Sequence, residues 1–212
     1  LQYSDGVLSS AARVTAEGLE YDRWSALRAG ALVTYRDAAV DVHTAFLTDA
    51  TGTVWARGQL ALPHHETGGA LDIQYQVAEV KLDEVAGRLD YDGIDGTLYA
   101  HGALTGAWDD PEISADAAVF EPAYERYGAD AVTATAVLRN GRLAVTDLLA
   151  RRGTAALTAA VDVLGLPPVA RLGAEGLPES AGLAGQFSGA GIRLEDAVEL
   201  LQKDWEDVDG LA

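Results

Sequence analysis

The residue types that could support chemistry are few in this sequence, and their spacing argues against catalysis. His64-His65-Glu66 offers three metal-ligating side chains in a row. Adjacent residues on an extended chain point to opposite sides, and Pro63 with Thr67-Gly68-Gly69 brackets the run as a solvated loop. Asp92, Asp95, Asp109, Asp110 and Glu112 could in principle be gathered into a Ca²⁺ site or a carboxylate pair. They flank Gly and Pro instead, at positions where aspartate bonds its own backbone in turns. His43 and His101 each stand alone at a polar position of an alternating stretch and read as surface residues. No Gly-rich phosphate loop opens a helix, and neither G-x-S-x-G nor H-E-x-x-H occurs. The reading is of a protein that is not an enzyme and that calls for no metal and no cofactor.

The composition narrows the remaining classes. The chain has 212 residues, no Cys and no Met, with 33 acidic against 15 basic side chains for a net charge of −18. Without cysteine there is no disulfide framework, thiolate metal site or thiol nucleophile. So acidic a surface repels nucleic-acid phosphates and anionic lipid head groups. No apolar run reaches the roughly 18 residues of a membrane-spanning helix, and no signal peptide is evident. The chain opens on Leu1 and reads as a segment of something longer. Alanine supplies 39 residues of the apolar fraction, and since it buries little area, a core built from it is weakly held.

The elements that must position these residues are strands. Leu71-Asp72-Ile73-Gln74-Tyr75-Gln76-Val77 alternates with a clean period of two. Stretches around Val54–Leu60, Ile94–Leu104, Ile113–Val119, Val132–Leu138 and Leu157–Val163 do the same, each with one apolar and one wet side, as antiparallel sheets require. Asn140-Gly141, Arg152-Gly153, Asp95-Gly96 and Asp109-Asp110-Pro111 supply turn signals. Helical spacing is confined to Leu82–Leu89 and Leu194–Leu201. The expected fold is mainly β, an antiparallel meander with two short α-helices.

The chain also echoes itself. Tyr21-Asp22-Arg23-Trp24 returns 103 positions later as Tyr124-Glu125-Arg126-Tyr127, and Lys81-Leu82-Asp83-Glu84 returns as Arg193-Leu194-Glu195-Asp196 after a short insertion. The expected organisation is a first repeat over 1–90, with a helix near 82–89, and a second over 91–205, with a helix near 194–201. Residues 206–212 would begin a third.

Gly96-x-Leu98-x-x-x-Gly102-x-Leu104-x-Gly106 followed by Asp110-Pro111-x-Ile113 resembles the strand–turn–strand pattern of TamB/AsmA-like proteins. Tyr127-Gly128, Asn140-Gly141-Arg142-Leu143, Arg152-Gly153-Thr154 and Ile192-Arg193-Leu194-Glu195-Asp196 continue the likeness. That resemblance implies a long single-layered sheet curled into a U-shaped, taco-like groove with an apolar concave face. It further implies a bridge-like lipid-transfer role in the cell envelope, with phospholipid acyl chains as the partner. The protein would be periplasmic, anchored in the inner membrane outside this segment, and would serve outer-membrane biogenesis. The same resemblance implies an alternative: a scaffold that helps assemble outer-membrane proteins through its sheet edges, with an outer-membrane assembly protein as partner through regions elsewhere.

Strands with one apolar side must close, stack or hold a ligand to hide it. The residues expected to line a lipid groove are Val40, Val42, Val54, Leu60, Ile73, Val77, Leu98, Leu104, Ile113, Val119, Val132, Leu138, Leu143, Val145, Leu157 and Val161. About a dozen strands at ~4.8 Å spacing make a trough roughly 55–60 Å long. Small residues such as Ala100, Gly102, Ala117 and Ala134 would leave room for acyl chains, each shielded methylene contributing about 0.8 kcal/mol. A closed barrel or sandwich binding carbohydrate would instead cluster Trp24, Trp55 and Trp108 on one surface.

Overall fold

The computed structural model describes residues 2–4, 7–21, 24–63, 68–88, 93–124, 127–167 and 182–190. Nearly all of them are strand: β1 (Gln2–Ser4), β2 (Val7–Tyr21), β3 (Trp24–Arg36), β4 (Ala39–Thr48), β5 (Thr53–Ala61), β6 (Ala70–Lys81), β7 (Ile94–Ala107), β8 (Pro111–Tyr124), β9 (Tyr127–Gly128), β10 (Ala131–Arg139), β11 (Arg142–Arg152), β12 (Ala155–Leu164) and β13 (Gly182–Ala190). One helix, α1 (Leu82–Arg88), stands between β6 and β7. It matches the first expected helix, with Asp83 and Glu84 in its first turn and Arg88 in its last, as the helix dipole favours. The second expected helix, near 194–201, and residues 206–212 lie outside the described residues.

All the strands belong to one sheet, in chain order from β1 to β13, with the short β9 paired only to β8. Every pairing is antiparallel. The terminal strands of this path do not pair with each other, so the sheet is not closed into a barrel. Burial is shallow. Among the described residues no large side chain is fully buried, and the deepest apolar ones are Ala26, Leu71, Ala86 and Leu166.

Two-residue turns join several hairpins. Asp37-Ala38 and Asn140-Gly141 both have positive φ at each position, the mirror-image turn that matches strand twist. Asp95-Gly96, expected to be a turn, lies inside β7 instead. There the Asp95 carboxylate accepts the Gly96 N–H, and Gly96 takes φ +131°, so the residues that suggest a turn serve an irregularity in the strand. That irregularity lies where β7 and β8 shift register, between Asp95 and Thr97.

The offset of 103 positions recurs in the geometry. Asp37-Ala38 and Asn140-Gly141 are one such pair, and Gly18 and Glu121, both left-handed, are another. In β4 the register against β5 jumps between Val42 and Ala45, and in β11 the register against β12 jumps between Val145 and Leu148, again 103 positions on.

Candidate functional site

Directly opposed residues of an antiparallel pair point to the same side of the ribbon, so the register shows which side chains share a row. One row runs through ten strands: Val33, Val42, Gly58, Ile73, Leu104, Ile113, Leu138, Leu143, Val163 and Leu183. No polar side chain interrupts it. Two residues further along the strands, and three in β4, a second row passes through Ala45, Ala56, Tyr75, Gly102, Ala115, Ala136, Val145 and Val161. A third holds Leu47, Val54, Val77, Ala100, Ala117 and Ala134. A fourth holds Val80, Leu98, Val119, Val132, Ala150 and Leu157, and a fifth joins Tyr35, Val40, Leu60 and Leu71.

All sixteen residues expected to line a groove fall in these five rows. Val42, Ile73, Leu104, Ile113, Leu138 and Leu143 are in the first, and Val145 and Val161 in the second. Val54 and Val77 are in the third; Leu98, Val119, Val132 and Leu157 in the fourth; Val40 and Leu60 in the fifth. Each is half-buried.

The rows between them are of another kind. One runs Phe46, Trp55, Gln76, His101, Asp116, Thr135 and Thr146. Thr135 Oγ1 donates to Asp116 at 2.7 Å along this row, and His101 Nε2 stands 3.6 Å from the same carboxylate. On flanking rows, Arg57 holds Gln74 through two donors, and Gln59 donates to Asp41. Shallow depressions of roughly 700 Å³ open here, one beside Trp55, Arg57, Gln74 and His101 and another beside Tyr99, His101 and Asp116. They arise where long polar side chains stand around Ala103 and Ala118, and they are open to solvent.

Bulges keep the apolar rows in phase, and the alternation alone misses them. In β6 the apolar positions run 71, 73, 75, 77 and then 80, because Ala78 and Glu79 together face one residue of β7, with Glu79 at φ +58°. In β4 the phase passes from Val42 to Ala45, and in β11 from Val145 to Leu148 around Asp147 at φ +52°. Without the extra residue every later side chain would turn to the other side. The readable signal is a shift from one apolar parity to the other inside a strand. It brings Ala45, Leu47, Val80 and Ala150 into these rows.

Across the second row Tyr75 lies over Gly102 and donates its hydroxyl to the Ser114 carbonyl at 2.8 Å. Burial pushes the Tyr75 phenol above its ordinary value. At one margin Asp49 ties α1 to the sheet. Its carboxylate accepts from Thr51 N–H and Oγ1, from Gly52 N–H, and from Arg88 at 2.9 Å. Burial pushes this carboxyl up, but those hydrogen bonds outweigh it and hold the pKa below 3.8. At the opposite margin the Trp108 indole donates to the Ala61 carbonyl, while Trp55 stands mid-strand. These two tryptophans therefore do not form one platform; the Trp24 side chain lies outside the described residues.

The acidic residues considered for a metal do not converge among the described residues. Asp95 bonds Gly96, Asp109 and Asp110 are exposed in the β7–β8 turn, and Glu112 faces Arg139 at 3.6 Å. Among the described residues no group of three His, Asp or Glu could hold a metal ion. His64-His65-Glu66 and Asp92 lie outside the described residues. His43 is exposed and bonds Thr34 at 2.8 Å, and His101 is exposed. Among the described residues no helix is long and apolar enough to cross a membrane. No family model, curated protein or solved structure matches this chain.

Proposed function

We propose that the five apolar rows form the floor of a groove that shields phospholipid acyl chains, and that the chain is a section of a lipid-transfer conduit in the cell envelope. One observation carries this reading. Along β6 the residues of the apolar rows (Leu71, Ile73, Tyr75, Val77) are buried or half-buried, while Asp72, Gln74 and Gln76 between them are exposed. The described strands all belong to one sheet, so no second sheet accounts for that difference. Curling of the sheet toward its apolar side, into a U, does account for it.

A concave apolar strip of this kind stays wet and costly unless something apolar lies in it. The floor is graded in a useful way. Leu and Ile dominate the first row, whereas Ala100, Ala117 and Ala134 in the third leave the depth of a chain between neighbouring ridges. Shielding about a dozen methylenes at ~0.8 kcal/mol each contributes on the order of 10 kcal/mol, without any group that selects a head group. Transfer by such a section is passive sliding along the strip, with the acidic outer rows in water. The resemblance noted above to TamB/AsmA-like proteins supports a periplasmic setting and an anchor elsewhere.

Native mass spectrometry of the purified chain tests the reading. Phospholipid should co-purify, and Leu98→Asp or Ile113→Asp should abolish retention while Ser114→Asp does not. A chain that carries no phospholipid, even when offered it in detergent exchange, contradicts it.

A further inference from the structure

On the polar side of the sheet, Trp55, Gln76, His101, Asp116 and Thr135 oppose one another in turn across β5, β6, β7, β8 and β10. At ~4.8 Å per strand this row spans about 19 Å. Trp55 is 41% exposed, and Tyr99, two residues before His101, adds a second exposed aromatic on the same side. The polar side chains around them keep hydrogen-bonding capacity. Asp116 accepts from Thr135 on Oδ1, which leaves Oδ2 facing His101. Arg57 gives Nε and Nη2 to Gln74 Oε1, which leaves Arg57 Nη1 and the Gln74 amide N–H groups as donors. Gln76 makes no side-chain hydrogen bond to a described residue. Gln76 and His101 stand in the walls of both depressions on this side, so the two adjoin as one shallow trough.

We infer that this trough is a binding site for an extended, uncharged oligosaccharide, separate from the apolar rows on the other side of the sheet. A sugar ring presents an apolar face of C–H groups and a rim of hydroxyls that both donate and accept. Its recognition calls for an aromatic surface that stacks on the first and planar polar groups that meet the second. Trp55 supplies the aromatic surface. Gln76 and Gln74 supply donors and acceptors, Arg57 donors, and Asp116 an acceptor.

Charge and pairing select this occupant over other extended chains. A net charge of −18 repels nucleic acid and acidic sugars. Within the trough Arg57 stands against Asp116, so a neutral ligand meets no net field there. Each of β5 to β8 is paired on both sides, so their main chains are already engaged and offer an extended peptide no strand to add to. Recognition must therefore come from side chains. About one ring per strand spacing would place roughly four rings along the row, the first on Trp55 and the last beside Asp116 and Thr135.

Isothermal titration of the intact chain with cellohexaose and with chitohexaose, two extended neutral glycans, tests the site, with hexagalacturonic acid as the acidic counterpart. At least one neutral hexasaccharide should bind, and the acidic one should not. Trp55→Ala should weaken binding at least about ten-fold, the loss of an aromatic anchor. Gln76→Ala should weaken it about two- to ten-fold, the loss of one hydrogen-bonding partner. Trp108→Ala, at the sheet margin, should bind as the wild type does. Circular dichroism checks that each variant folds, and Trp55→Phe with Gln76→Ala decides the matter if Trp55→Ala does not. Three results would each overturn the inference: no binding of either neutral glycan, undiminished binding by the Trp55 and Gln76 variants, or hexagalacturonic acid bound as tightly as the neutral chains.

Discussion

The Tyr75 hydroxyl spans β7 to donate a 2.8 Å hydrogen bond to the Ser114 carbonyl in β8. The crossing is possible because Gly102, opposite Tyr75, has no side chain. A methyl group at 102 would overlap the Ser114 carbonyl oxygen and press on the Tyr75 hydroxyl. Tyrosine laid over a glycine on the neighbouring strand pins three strands together where the alanine-rich second row offers little side-chain contact. Gly102→Ala should cost about 2–3 kcal/mol, the scale of an overpacked site. Tyr75→Phe, which removes only the hydrogen bond, should cost about 1 kcal/mol. Urea denaturation of both variants checks the order; a neutral Gly102→Ala would contradict it.

The Asp49–Arg88 pair should behave unlike the surface pairs. Its side chains are 8% and 17% exposed, whereas those of Glu17 and Arg28, 3.9 Å apart, are 80% and 67% exposed. Arg88→Ala should cost about 2 kcal/mol because it leaves a sheltered carboxylate short of a donor. Arg28→Ala should cost less than about 0.5 kcal/mol. Thermal melts of the two variants make the comparison.

Asp49 also gives a pH signature. Its folded pKa lies below the ordinary 3.8, so its contribution is complete above the unfolded value and is lost as pH falls through the folded one. The wild-type chain should therefore lose stability below about pH 4 by more than Asp49→Asn does. Parallel acid titrations of the two proteins would refute this.

Left-handed residues in the strands make a fourth prediction. Glu121 has φ +51° where the corresponding position, Gly18, has φ +60°. Glycine adopts this conformation without the roughly 1 kcal/mol penalty of a side chain. Glu121→Gly should therefore be neutral or stabilising by up to about 1 kcal/mol, and Gly18→Glu destabilising by a similar amount. Denaturation midpoints decide, and a destabilised Glu121→Gly would count against the equivalence.

Much of the sheet is legible in the sequence because alternation is a direct physical record of a strand with two unlike sides. Ile73, Leu104 and Ile113 can be placed on one side from parity alone, and the register puts them in one row. The bulges are less legible: a phase slip at Ala78-Glu79 or Thr146-Asp147 looks like the end of a strand until the partner strands are known. Asp95-Gly96 misleads for a related reason, since the same residues serve turns and mid-strand irregularities. The Asp49–Arg88 link and the Tyr75 bridge to Ser114 each join residues 39 positions apart. Both depend on strand order, which no local pattern encodes.

The central claim is that lipid meets the apolar rows and not the rows between them. Neighbouring residues of β7 and β8 provide the most direct test, since Leu104 and Ile113 oppose each other in one row and Ala103 and Ser114 in the next. A photo-reactive phenylalanine analogue placed at each of the four positions in turn, irradiated with radiolabelled phospholipid, reads the side of contact. The groove account predicts strong labelling from 104 and 113 and background labelling from 103 and 114. Equal labelling at all four, or labelling only from 103 and 114, would contradict it.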